Sequence, residues 1–116
     1  MSRRVISSLI TSHSGMHIVV YVQNNEKHFS FTSHNGFICL DDFEVWRLHW
    51  CLNDRRSERF GHIERQVTYR MSGENFELET DEYGKVDRIT LEPEDIQAIL
   101  SSDLLNYLKG DIEQWQ

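Results

Sequence analysis

The segment HIERQVTYRMSGENFELETDEYGKVDRITL (62–91) alternates apolar and polar residues in runs of strand length, with short turn-forming stretches between the runs. A period of two sends successive side chains to opposite faces, so each run buries one face and wets the other. The first run, 62–71, places Ile63, Val67, Tyr69 and Met71 inward, and Glu64, Gln66, Thr68 and Arg70 outward. Arg65 falls on the inward parity, which predicts a position at the sheet margin. Residues 75–80 set Phe76 and Leu78 against Glu77 and Glu79, and 86–91 form a last strand. Upstream, HIVVYV (17–22), HFSFTS (28–33) and FICL (37–40) are separated by NNEK and by His34-Asn35-Gly36. Short strands joined by tight turns predict an antiparallel meander.

Three segments are less direct. Val5, Ile6, Leu9 and Ile10 have helical spacing with Ser2 as N-cap, which predicts a short N-terminal helix. FEVWRLHWCL (43–52) reads two ways. As a strand it lines one face with Trp46, Leu48, Trp50 and Leu52; as a helix, capped by Asp41 or Asp42, it stripes Phe43, Trp46 and Trp50. Aromatic and β-branched enrichment favours the strand, with both tryptophans in the core. NDRRSERFG (53–61) has no apolar period and predicts an exposed basic loop.

A half-buried sheet needs a cover. Pro93 suits a first helical position, and Glu94 and Asp95 suit the positive end of a helix dipole. Ile96, Ile99, Leu100, Leu104, Tyr107 and Leu108 continue at helical spacing, Ser101-Ser102-Asp103 is a possible break, and Gly110 ends the run. Ile112 and Trp115 predict a docked tail. The expected fold is α+β: one meandering antiparallel sheet covered on one face by a C-terminal helix, in a single domain spanning 1–116. No repeat of solenoid or propeller length is evident.

The opening MSRRVISSLITSHSG puts two arginines before an apolar run. Serines interrupt that run, and no small-residue cleavage site follows it. No stretch approaches a membrane span. Cys39 and Cys51 are too few for a secreted disulfide scaffold and sit among apolar neighbours, which predicts free thiols and a cytoplasmic location.

Function must come from scattered features. Six histidines and two cysteines could ligate a metal, but no paired-ligand motif is present, so neither a metal nor a cofactor is predicted. Nucleophile-elbow, phosphate-loop and dinucleotide motifs are absent. A ribonuclease-like set of His49, His62, Glu64 and Arg65 is one catalytic alternative. A second alternative is single-stranded nucleic-acid binding by residues 46–70, where Arg47, Arg55, Arg56, Arg59, Arg65 and Arg70 interleave with Trp46, Trp50, Phe60 and Tyr69.

Charge favours another class. The net charge of −7 is uneven: 1–71 carries nine Lys/Arg against seven Asp/Glu, and 72–116 carries three against twelve. An acidic half repels phosphate and attracts basic proteins. The leading expectation is therefore a non-enzymatic protein that neutralises or regulates a basic partner, of the immunity-protein or nuclease-toxin-inhibitor type. Glu77, Glu79, Asp81, Glu82 and Asp87 are its expected contacts, with Arg55, Arg56 and Phe60 as a second region.

Overall fold

A computed structural model describes residues 3–34 and 36–102. Its elements run β1 (Arg4–Ile10), β2 (His17–Gln23), β3 (Glu26–Ser33), β4 (Gly36–Asp41) and α1 (Asp42–Asp54), then β5 (Glu58–His62), β6 (Arg65–Ser72), β7 (Asn75–Glu82), β8 (Lys85–Leu91) and α2 (Pro93–Ser101). The class is α+β, but the strands form two antiparallel sheets rather than one, ordered β1-β2-β3-β4 and β5-β6-β7-β8. The chain thus writes the same unit twice: a four-stranded meander followed by a helix.

Most of the alternating segments become the strands they predict. In β6 and β7 the buried residues are Val67, Tyr69, Phe76, Leu78 and Thr80. Asn24 and Asn25 both take positive φ between β2 and β3, as a tight two-residue hairpin requires. Three segments differ from expectation. Residues 4–10 are a strand, because Val5, Ile6 and Ile10 are β-branched and β2 offers a pairing edge. Residues 42–54 are helix rather than strand. The basic segment 53–61 splits into the end of α1, a short turn and β5, and Ile63 is 96% exposed in the β5–β6 turn rather than inward.

One apolar core serves both sheets. It joins Ile18, Val20, Phe29, Phe31, Ile38 and Leu40 to Val67, Tyr69, Phe76, Leu78, Ile89 and Leu91. Val45, Leu48, Cys51 and Leu52 of α1 and Ile96 and Ile99 of α2 complete it, so the C-terminal helix is not the sole cover. β4 and β8 come into backbone contact at Gly36, where an added Cβ would lie 2.0 Å from the Arg88 carbonyl oxygen. That position needs glycine because backbone meets backbone. α2 ends at Ser101; the expected continuation through Leu104, Tyr107 and Leu108, the stop at Gly110 and the docked Ile112 and Trp115 lie outside the described residues. No helix among the described residues is long and apolar enough to cross a membrane. Both thiols are free.

Candidate interaction surface

The local sequence around α1 explains why helix wins over strand there. Asp41 takes extended backbone and its carboxylate accepts from Glu44 N at 2.8 Å, while Glu44 Oε1 accepts from Asp41 N at 3.0 Å. This reciprocal capping box satisfies two backbone donors that a helix start otherwise leaves open. Arg55 ends the helix in the left-handed conformation, its N–H donating to Cys51 O.

Helical geometry then sorts the side chains differently from a strand. Val45, Leu48 and Leu52 turn into the core. Phe43 and Trp50 stay 45% and 44% exposed, and Trp46 is half-buried between them. Their rings form a ladder: Phe43 to Trp46 at 5.8 Å between centroids, Trp46 to Trp50 at 5.9 Å in an edge-on arrangement. Phe60 of β5 joins it 6.0 Å from Phe43 and also packs on buried Tyr69 at 5.5 Å. The placement of both tryptophans in the core is therefore corrected: one faces solvent and the other is only partly covered.

Arginines flank the ladder. Arg56 lies over the Trp50 ring at 5.6 Å, and Arg47 stands 6.0 Å from Trp46 while pairing with Glu58. Among the described residues, Arg55 and Arg56 form no ion pair with a carboxylate. Burial pushes the Cys51 thiol up from its ordinary pKa, opposed by nearby Arg56. The thiol donates to Glu58 Oε2 at 3.3 Å.

Beneath this surface the two units clasp each other. Arg65, at the start of β6, donates from Nε and Nη2 to the two oxygens of buried Glu44 at 2.7 and 2.9 Å. It also donates from Nη2 to Cys39 O at 2.8 Å and from Nη1 to Glu82 at 3.1 Å. Hydrogen bonding to Glu44, the first cause, raises the Arg65 pKa further against the opposing effect of burial. Tyr69 donates to Glu44 O at 2.7 Å, and burial holds its hydroxyl well above its ordinary pKa. Reciprocally, the β1–β2 loop reaches α2: Ser14 Oγ donates to buried Asp95 at 2.7 Å, and His13 contacts Glu92 and, at 3.5 Å, Glu94. The hydrogen bond with Glu92, ahead of a weaker desolvation effect, raises the His13 pKa. His13, Glu92 and Glu94 bring ligand atoms within 4.8 Å of one another. Pairing of His13 with those carboxylates, at the positive end of α2, accounts for the cluster.

The expected acidic contacts divide by register. Glu77, Glu79 and Asp81 do share the outward face of β7. Opposite them stand Arg70, which pairs with Glu77 at 3.4 Å, and Arg88, which pairs with Glu79 at 2.5 Å; Asp81 caps the turn at Gly84 N. Glu82 and Asp87 lie on the other parity: Glu82 opposes Arg65, and Asp87 opposes buried Thr80. The catalytic set is divided as well. His62 is the cross-strand partner of Arg65 beside exposed Glu64. His49 instead lines an apolar crevice with Phe31, Val45, Leu48, Leu52, Ile99 and Leu100, none of them from β5 or β6. Arg59 lies on the outward face of β5, bonded to Gln66, so it stands apart from Phe60.

The Phe43–Trp46–Trp50 ladder escaped the strand reading, although the helical stripe of the same three residues contains it. No family model and no curated protein matches the chain.

Proposed function

We propose that this chain is a non-enzymatic binding domain that docks a protein partner through the solvent face of α1 and the adjoining Phe60. The observation that carries the reading is the exposed ladder of Phe43, Trp46 and Trp50 with Arg56 stacked on its end. Tryptophan, tyrosine and arginine dominate the few interface residues that supply most binding energy. A half-exposed tryptophan braced by neighbours loses little rotamer freedom on binding, which lowers the cost of association. A domain of this kind acts by covering a partner's surface, the inhibitor or immunity type among them. Phe60, Arg55 and Arg56 thus move from secondary to central contacts.

The net charge of −7 supports a second reading, a basic partner drawn in by long-range attraction. On β7 Glu77 and Glu79 already carry their own arginines and Asp81 caps a turn, which weakens that face as the contact. Substitution separates the two. With an isolated partner complex, Trp50→Ala should cost about 2 kcal/mol or more of affinity, the range of a hot-spot residue. Glu79→Lys with Asp81→Lys should cost much less. The opposite ranking would sink the proposal in favour of the acidic face.

A further inference from the structure

We infer that the α1 surface is shaped for an acidic protein segment; the inference rests on the binding reading above and names the chemistry of the partner at that site. The first observation is local charge. On a chain of net charge −7, the end of the aromatic ladder carries Arg55 and Arg56 without ion-pair partners among the described residues. Arg47, which also adjoins the ladder, is by contrast paired with Glu58, as Arg65, Arg70 and Arg88 are with their own carboxylates. The second observation is orientation. Arg55 is held at the left-handed C-cap of α1, and Arg56 lies over the Trp50 ring. Arg56 is held both over the Trp50 ring and by a hydrogen bond with the Cys51 thiol, so less entropy is lost when its remaining N–H groups meet a planar carboxylate.

The third observation is what adjoins the charges. Phe43, Trp46, Trp50 and Phe60 form an apolar strip that would shelter an arginine–carboxylate pair from water, strengthening it. A partner segment with one or two carboxylates beside an aromatic or aliphatic side chain matches this pattern. A polynucleotide matches it less well. Its dense phosphate charge would meet the repulsion of the whole chain over many contacts, whereas two carboxylates meet mainly the two arginines.

The test uses the full chain and a short Glu/Tyr copolymer of a few residues, carrying one or two glutamates, as the acidic-aromatic probe, with oligo(dT) and polylysine as comparators, followed by tryptophan fluorescence. The inference expects saturable quenching by the copolymer that weakens several-fold between 50 and 300 mM NaCl. Trp50→Ala and Arg56→Glu should each weaken it at least tenfold, and Arg56→Lys should retain part of it. No copolymer binding, unchanged binding by Arg56→Glu, or tighter binding of oligo(dT) or polylysine would overturn the acidic assignment. A photo-crosslinking side chain at Trp50, with one at Glu79 as control, keeps the two levels apart. Cross-linking to protein from Trp50 but not Glu79, together with copolymer failure, removes the acidic partner and leaves the binding surface standing. Cross-linking from Glu79 alone removes both.

Discussion

Replacing Arg65 by methionine should be among the most damaging single changes in this chain. Arg65 holds both oxygens of Glu44, which is 6% exposed, and supplies the Cys39 carbonyl with a donor. Without it, the Glu44 carboxylate stays buried with the Asp41 and Tyr69 regions around it and no cation. Breaking one side of a buried ion pair costs about 3–5 kcal/mol. The exposed arm to Glu82 adds little, because surface pairs contribute roughly 0–1 kcal/mol. For a domain near this size each kcal/mol moves Tm by roughly 4 °C, so the variant should melt about 12–20 °C lower. Urea unfolding with calorimetry would measure it. Glu44→Gln in the Arg65→Met background removes the stranded charge yet keeps an acceptor for Asp41 N, and should recover about half the loss. A loss under about 1 kcal/mol, with no recovery in the double variant, would refute the clasp as a stabilising contact between the units.

Three further outcomes follow from the same geometry. Gly36→Ala should destabilise by about 1–3 kcal/mol, read by urea melts, because the new methyl meets the Arg88 carbonyl and forces β4 from β8. His13 should titrate above its ordinary value of 6.5, followed by NMR. Since its folded pKa exceeds its unfolded one, its contribution is fully present below about pH 6.5 and fades as pH rises through the folded value. A His13→Gln variant should lose that pH dependence. Cys51, buried and with a raised pKa, should react with a thiol reagent more slowly than half-buried Cys39, and mass mapping would show the order.

How much of this was legible depends on where the deciding contacts lie in the chain. Strands β3, β6 and β7 carry their period within themselves, so their positions and faces could be read locally, whereas β2, β4 and β8 were legible in position only. The 43–52 segment could not be settled by composition, because its tryptophans suit a strand while Asp41-x-x-Glu44 caps a helix. The cap was the better signal: it satisfies backbone donors at a defined place, whereas aromatic enrichment only reflects half-burial. The edge strand β5 shows no apolar period because only Phe60 packs against the core. The repeated unit escaped notice because its halves share pattern more than identity. Glu92-x-x-Asp95 restates Asp41-x-x-Glu44 at the second helix start, and that echo was available in the sequence. The Arg65–Glu44 pairing was not, since it joins residues whose proximity only the packed sheets create. Nor could alternation reveal that Glu77 and Glu79 come with their own arginines, because cross-strand register decides it.

The most direct test of the central claim is hydrogen–deuterium exchange of the free chain against its complex with an isolated partner. The account predicts added protection across residues 42–60, spanning α1 and the start of β5, with β7 and β8 unchanged. Protection confined to β7 and β8, with α1 exchanging as in the free chain, would contradict it.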